Sequence, residues 1–254
     1  DGKRVEESII NASISRILEA EAEWPEIKKI IANPSIEIVI SNTTEQGLVY
    51  QPENVFDGVP KSFPMKLLAL LWERYNVLGQ NETSKLIIIP TELIENNGVL
   101  LSQFILKGAE YNQLDENFRT WVIQNITFCN SLVDRIVPGK PKENIESEIV
   151  HSQAYIDNHS IMSEPYSLWA IEIDDKSKLS FAATDDAIKT VADITAYKEL
   201  KLRLLNATHI LACGTALLDN PAATVKDSMQ NPEFKKFIVE IMEDIKQSFL
   251  VDIN

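Results

Sequence analysis

The stretch "KLIIIPTELIENNG", residues 85–98, decides the fold class of this chain of 254 residues. It begins with a Leu and Ile run that is too apolar for a strand with one face in water, so it predicts a strand buried on both faces. A polar segment follows and ends at Gly98. Strands of this kind belong to parallel sheets that helices cover on both sides. We therefore expect a buried parallel strand whose carboxyl end opens into a polar loop.

The neighbouring segments repeat this pattern on both sides. "SIEIVIS", residues 35–41, predicts a strand that runs into the polar turn "NTTEQG", and a further strand is expected near 126–129 before the loop "CNSLVDRIVPG". Helices are predicted between these strands, the clearest at 63–79, with Pro64 in its first turn and Gly79 at its end. Strands that alternate with helices predict an α/β fold with a Rossmann-like, largely parallel sheet.

The two ends of the chain are predicted to be helical. Helices are expected at 6–22 and 24–32 before the first strand. A strand is expected at 166–173, and from about residue 186 the strand signals end. Helical patterns take over at 195–218, 221–230 and 232–250. We therefore predict a partial Rossmann-type domain over residues 1–194 and the start of a mostly α-helical domain over 195–254.

The charge and composition narrow the class of protein. The chain has 24 Lys and Arg against 38 Asp and Glu, a net charge of −14. Such a surface repels phosphate backbones, which argues against nucleic-acid binding. No apolar run approaches the roughly 20 residues that cross a bilayer, so no membrane span is expected. These features predict a cytoplasmic protein.

Cysteine and histidine placement argues against a disulfide or a metal site. Cys129 and Cys213 are the only two cysteines, and neither lies in a CxxC pair, so we expect two free thiols in a reducing compartment. The three histidines are His151, His159 and His209, and no HExxH pattern occurs. We therefore expect no metal.

The segment "YKELKLRLLNATHIL", residues 197–211, carries an amine, an amide and an imidazole on one predicted helix. At about 100° per residue, Lys201, Asn206 and His209 fall within an arc of roughly 140° that also holds leucines. A lysine on such a face loses water around its amine, which makes it a usable general acid or base. The alternative to a catalytic role is a structural one, in which the lysine is solvated, the asparagine caps a neighbour and the histidine is buried and hydrogen-bonded. Helix spacing alone favours this structural alternative.

Three motifs in order resemble one family. "NSLVDRI" runs from Asn130 to Ile136, "EPYSLWAIE" from Glu164 to Glu172, and "KLRLLNATH" from Lys201 to His209. Together they resemble the polyol-specific long-chain dehydrogenases, the mannitol dehydrogenase family. That resemblance implies a zinc-independent, NAD-linked oxidoreductase, with a Rossmann-type NAD-binding domain before a helical substrate-binding domain.

The resemblance also implies roles for individual residues. Lys201 corresponds to the general acid and base of the family. Asn206 and Asn130 correspond to the amides that polarise the carbonyl and stabilise the alkoxide. His209 corresponds to a residue that helps to bind substrate. These four residues are the predicted catalytic set.

The cofactor is expected at the carboxyl ends of the strands, where parallel α/β sheets bind their ligands. The resemblance implies that NAD lies across these ends and contacts Asn42, Thr43 and Thr44. No G-x-G-x-x-G occurs in these residues. We therefore expect the family's phosphate-binding turn to precede Asp1.

Within the family, "SNTTEQG", "PTELIENNG" and "FCNSLVDRIVPG" are most similar to the tagaturonate reductase branch. That similarity implies a small sugar acid as substrate, whose carboxylate needs a cation such as Arg135 or Arg203. Fructuronate reductase and mannitol dehydrogenase are alternatives within the family. A non-catalytic sugar-acid-binding protein is the alternative from another class.

Overall fold

A computed structural model of the chain describes residues 7, 9–10, 12–141, 159–174 and 179–249. The chain forms two compact units. The first comprises the chain up to Val39 together with Thr43–Ile88 and Leu100–Phe128. The second comprises Ile40–Asn42, Ile89–Val99 and the chain from Cys129 onwards.

A sheet of three strands has the order β1 (Ile38–Ser41), β2 (Leu86–Pro90), β3 (Ile126–Phe128). It belongs mostly to the first unit, while Ile40–Ser41 of β1 and Ile89–Pro90 of β2 belong to the second. β2 and β3 are parallel, with Leu86 opposite Ile126. All five residues of β2 are buried, as its apolar sequence predicts. The Rossmann-like fold class predicted from the sequence is confirmed.

The helices of the first unit bury this sheet. They are α1 (Trp24–Ile31), α2 (Phe63–Leu78), α3 (Asn97–Tyr111, of which Leu100 onwards belongs to this unit) and α4 (Glu116–Asn125). A short 3-10 helix, Glu82–Ser84, precedes β2. Fully buried side chains come from α2, β2, α3 and α4: Met65, Leu68, Leu71, Ile88, Leu101, Ile105, Phe118 and Trp121. Their burial supplies most of the driving force for folding of this unit.

A single arginine organises the polar part of this core. Arg74, on α2, has no solvent-exposed surface, and burial lowers the pKa of its guanidinium. The guanidinium donates to six backbone carbonyl oxygens at 2.6–3.1 Å. Those carbonyls belong to Ile31, Asn33, Ile36, Thr83, Ser84 and Lys85. Arg74 therefore fixes the two segments that lead into β1 and β2.

The second unit contains a mixed three-stranded sheet. Its strands are β4 (Ser131–Asp134), β5 (Leu168–Glu172) and β6 (Ile188–Val191). β5 pairs antiparallel with β4 and parallel with β6. The prediction that "CNSLVDRIVPG" is a loop was wrong for its first half, because Ser131–Asp134 pairs with β5. The prediction that strands end near residue 186 was also wrong. β6 is only four residues long, and pairing with β5 rather than a strong local pattern defines it.

The rest of the second unit is helical. The helices are α5 (Thr195–Glu199), a π-helical segment (Leu200–Ala207), α6 (Thr208–Asp219), α7 (Val225–Ser228) and α8 (Pro232–Gln247). A 3-10 helix, Ser180–Ala183, precedes β6. These bounds confirm the predicted helices, although the one expected at 221–230 is much shorter. The predicted domain boundary at residue 195 stays a prediction. Within the described residues, no helix is both long enough and apolar enough to cross a bilayer.

The helix predicted at 6–22 is not present in the described part of that segment. Helix α1 begins only at Trp24. The isoleucines of the segment, Ile9, Ile10, Ile14 and Ile17, are 77–94% exposed. Helices in proteins are stabilised mainly by packing of an apolar face. Without such packing, the local helix propensity is not sufficient to form a helix.

We expect Arg74→Met to lower the free energy of unfolding by at least about 3 kcal/mol, because six carbonyl oxygens lose a buried donor. Chemical denaturation measures this loss. Arg119→Met is the matched control, since Arg119 is partly exposed and pairs with Glu116 one helical turn away. It should cost no more than about 1 kcal/mol. Similar losses in both variants would contradict the role given to Arg74.

The second prediction concerns Glu53, whose carboxylate accepts hydrogen bonds from the backbone N–H groups of Lys61 and Ser62 at 2.6 and 2.8 Å. Burial acts to raise the pKa of Glu53, but these hydrogen bonds and the Lys61 charge outweigh it, and the net pKa is lowered. The carboxylate therefore stabilises the fold fully above its unfolded pKa of about 4.3, and this stabilisation disappears as pH falls through the lower folded value.

Glu53→Gln should accordingly destabilise the chain by about 1 kcal/mol at neutral pH, and the difference from wild type should shrink in acid. Unfolding curves measured from pH 7 down to pH 3 test this. Glu45→Gln, at an exposed position of the same unit, serves as the control. A difference that stays constant with pH would count against the assigned hydrogen bonds.

Candidate active site

A cleft of about 450 Å³ lies within the second unit. Its walls come from the loop after β2, the start of β4, the end of β5 and the helix that begins at Thr195. The polar lining residues are Glu92, Glu95, Asn96, Ser131, Glu172, Thr195, Lys198, Lys201 and Asn206. Leucine and isoleucine side chains line the remainder. Apolar walls with a few convergent polar groups are typical of small-molecule sites.

The π-helical segment brings two of the predicted catalytic residues together. Lys201 and Asn206 are five positions apart and both lie within Leu200–Ala207. In a regular α-helix they would be separated by roughly 140°. A π-helix forms i→i+5 hydrogen bonds, so residues five apart lie on nearly the same side, one turn apart. Both side chains accordingly line the same cleft.

Lys201 is a buried amine with a counter-charge. Only 9% of its side chain is exposed. Its Nζ donates to the Val133 carbonyl oxygen at 2.8 Å and lies 3.4 Å from Asp134 Oδ1. Both partners belong to "NSLVDRI", so strand β4 holds the amine at the edge of the cleft. The Asp134 charge also acts on Tyr166, where burial raises the pKa of the phenol and Asp134 raises it further.

Asn130 lies beside the cleft rather than in its wall. Its Oδ1 accepts from the backbone N–H groups of Gly98 and Val99, at 3.1 and 3.2 Å, at the start of α3. Its Nδ2 donates to Glu172 Oε1 at 2.9 Å. Glu172 lines the cleft, and its other oxygen accepts from the Ile194 N–H at 3.2 Å. Asn130 therefore positions a cleft carboxylate, and direct contact with substrate stays a prediction.

Asn97 holds the cleft loop in place. Its Nδ2 donates to the carbonyl oxygens of Pro90, Glu92 and Ser131 at 3.0–3.1 Å. Its Oδ1 accepts from the Ser131 N–H at 2.9 Å. This one buried amide thus ties the end of β2 to the start of β4. We missed Asn97 in the sequence because an asparagine before a glycine reads as an ordinary turn.

Sequence reasoning also missed four charged residues at the site. Glu92 is buried, and its Oε2 accepts from the Ser41 hydroxyl at 3.0 Å. Asp134 and Glu172 lie inside the motifs "NSLVDRI" and "EPYSLWAIE", and their acidic character was the available signal. Lys198 lies three residues before Lys201, which places it on the same side of a helix. Lys198 forms an ion pair with Glu95.

The other predicted residues are not part of this cleft. His209 is exposed and is not among the lining residues, so its contact with substrate stays a prediction. Thr43 lines a different cleft, of about 460 Å³, in the first unit, together with Lys61 and Lys66. Asn42 and Thr44 are exposed, and Thr44 has a φ of 64°. Their contact with cofactor also stays a prediction.

Metal-ligating side chains do not converge in the part of the chain that the structure describes. No group of three or more His, Cys, Asp and Glu residues there is placed to hold a metal ion. Neither Cys129 nor Cys213 forms a disulfide.

Comparison with known sequences identifies the family. The profile of the mannitol dehydrogenase Rossmann domain matches residues 4–182, and the chain belongs to this family. It is 39% identical to an altronate oxidoreductase of Bacillus subtilis (strain 168), over 96% of this chain and 51% of that protein. It is 35% identical to an altronate oxidoreductase of Halalkalibacterium halodurans, over 94% of this chain and 46% of that protein. The resemblance inferred from the three motifs is confirmed.

Solved structures show the same fold. A D-sorbitol dehydrogenase in substrate-free form aligns with a TM-score of 0.75 at 20% identity, over 92% of this chain and 50% of that one. The Pseudomonas fluorescens mannitol 2-dehydrogenase, in a ternary complex with NAD and D-mannitol, aligns with a TM-score of 0.63 at 18% identity, over 91% and 54%. The chain spans about half the length of the curated relatives it matches.

The third prediction follows from the close approach at Gly98. A Cβ at this position would lie 2.4 Å from the Cys129 carbonyl oxygen and 2.8 Å from the Asn130 nitrogen. Backbone atoms cannot move aside as a flexible side chain can, so Gly98→Ala should lower the free energy of unfolding by about 2 kcal/mol or more.

Gly214→Ala is the matched control, because nothing lies within 4 Å of a Cβ built there and Gly214 is in helix α6. It should be neutral or stabilise the chain by up to about 1 kcal/mol. Thermal unfolding of both variants makes the comparison. Equal stability of Gly98→Ala and wild type would show that the backbone does not pack as described.

Proposed function

We propose that this chain forms part of an NAD-dependent oxidoreductase that interconverts the ketone of D-tagaturonate and the alcohol of D-altronate. The observation that carries the proposal is the pairing of Lys201 and Asn206 on one π-helical segment that lines one cleft. Membership of the mannitol dehydrogenase family supports the reaction class. The altronate oxidoreductases among the relatives support the substrate.

Lys201 is the proton donor of the proposed reaction. During reduction, its ammonium gives a proton to the carbonyl oxygen as that oxygen gains negative charge, and during oxidation the amine takes the proton back. The short distance to the Val133 carbonyl and the ion pair with Asp134 hold the nitrogen in one position. Asp134 also compensates the charge of the ammonium between turnovers.

Asn206 is the proposed donor to the developing alkoxide. Its side chain makes no hydrogen bond to any described residue, so both amide protons are available to a ligand in the cleft. A fixed donor directed at an oxygen that gains charge in the transition state stabilises that state more than the ground state. Asn130 is the second proposed amide of this step, and its Nδ2 donates to Glu172 at the cleft wall.

The residues of the second cleft, in the first unit, suit the proposed NAD. Two lysines, Lys61 and Lys66, lie there with the Thr43 hydroxyl and the Gln46 and Gln51 amides. Ammonium and hydroxyl groups bind phosphates, and amides bind ribose hydroxyls and ring nitrogens. Thr43 was among the predicted NAD contacts. When bound, NAD supplies or accepts the hydride, and the protein supplies position and charge.

The fourth prediction tests the role of Lys201 in the complete enzyme. Lys201→Ala should lower turnover of tagaturonate with NADH by about a hundredfold or more, because the proton donor is lost. Lys236→Ala is the control, since the Lys236 side chain is 77% exposed. Near-normal turnover of Lys201→Ala across the pH range would remove the assigned role.

Substrate choice and enzymatic class need separate measurements. Comparing the rates of the complete enzyme on tagaturonate, fructuronate and fructose with NADH distinguishes the proposed substrate from those of related enzymes. Calorimetric titration with NADH distinguishes an enzyme from a non-catalytic sugar-acid-binding protein. Absence of NADH binding by the complete protein would favour the binding protein.

A further inference from the structure

We propose that Lys198 is the residue that selects an acidic sugar over a neutral one, by binding the substrate carboxylate. This inference rests on the proposed function, which places a sugar acid in the cleft. It concerns a different part of the substrate from the reacting carbonyl, and it assigns the cation that the sequence left open between Arg135 and Arg203.

The two arginines are engaged elsewhere. Arg135 donates through Nε to the Glu164 carbonyl oxygen at 2.9 Å. Arg203 pairs with Glu199 on its own helix, with 2.6 Å between Nε and Oε2. Neither lines the cleft. Among the described lining residues, Lys198 and Lys201 are the cationic ones, and Lys201 already has Asp134 as its counter-charge.

The cleft is otherwise unfavourable for an anion. Glu92, Glu95 and Glu172 line it, and the chain as a whole has a net charge of −14. A sugar acid entering this field is repelled unless a nearby cation compensates its carboxylate. Lys198 is placed to do so, because residues three apart on a helix lie on the same face. A sugar whose ketone lies at Lys201 can therefore direct its other end towards Lys198.

The present partner of Lys198 is easily exchanged. Glu95 pairs with Lys198, and the side chains are 32% exposed for Lys198 and 66% exposed for Glu95. Ion pairs between such exposed groups contribute little to the stability of the fold. A substrate carboxylate can replace that of Glu95, and Glu95 then returns to water. Glu95 thus keeps Lys198 in place when the cleft holds no substrate and competes with the substrate when it arrives.

This exchange predicts opposite effects for the two partners. Lys198→Met removes the cation and keeps an apolar side chain of similar length. Glu95→Gln removes the competing carboxylate and leaves the cation. The probes are D-tagaturonate and D-tagatose, which differ in having a carboxylate or a neutral hydroxymethyl group at one end. The measured quantity is the ratio of kcat/KM for the acid to kcat/KM for the neutral sugar.

In the complete enzyme, Lys198→Met should lower this ratio by about tenfold or more, because a charge-assisted hydrogen bond is lost for the acid alone. Glu95→Gln should raise the ratio, mainly through a lower KM for the acid. Arg203→Met is the matched control, since it removes a paired cation from the same helix without touching the cleft, and it should leave the ratio unchanged. An unchanged ratio in Lys198→Met, or an equal fall in Arg203→Met, overturns the proposal.

A binding measurement separates this inference from the proposed reaction. If wild-type enzyme reduces neither sugar, the proposed function fails, and calorimetric titration with D-altronate and D-altritol then decides the role of Lys198. Tighter binding of the acid that is lost in Lys198→Met and kept in Arg203→Met supports the role. Equal binding of acid and polyol by wild type, or a preference for the acid that survives in Lys198→Met, overturns it.

Discussion

Two buried asparagine side chains make the cleft of the second unit possible. The polypeptide after β2 turns through a buried loop, and buried backbone groups need hydrogen-bond partners. Asn97 supplies donors for the carbonyls of Pro90, Glu92 and Ser131, and Asn130 supplies an acceptor for the first free N–H groups of α3. Gly98 has no Cβ, so the backbone of Cys129 and Asn130 can lie close to it. The loop, the start of β4 and the cleft carboxylate Glu172 are therefore fixed by amide hydrogen bonds.

In the first unit, too, a buried side chain donates hydrogen bonds to backbone carbonyls, but here it is a charged guanidinium and not an amide. Arg74 donates to six backbone carbonyl oxygens. A buried guanidinium is expensive to desolvate unless its donors are all used. Here they are used on chain segments that precede two strands of the sheet. The position of the strands thus depends on a residue in a helix between them.

The part of the cleft that holds Lys201 and Asn206 depends on a helix that departs from regular geometry. A π-helical segment is rare and is found most often at functional sites. It turns Lys201 and Asn206 to one side, and β4 provides the partners that hold the Lys201 amine. The proposed proton transfer and charge stabilisation need both groups on the same side of a substrate. The segment provides this arrangement over one turn of helix.

The sequence by itself determined the buried strand 86–90 and the alternation of strands and helices. It also determined the family and identified Lys201 and Asn206 as candidate site residues. These follow from local patterns, since apolar runs and motif spacing are properties of neighbouring residues. Only the tertiary structure decided that Ser131–Asp134 is a strand, that the described residues between 6 and 22 do not form a helix, and that Asn130 positions Glu172. The tertiary structure also decided that Lys198 lines the cleft beside Lys201. Each of these depends on whether a group distant in the sequence supplies a partner, and a local pattern carries no information about that.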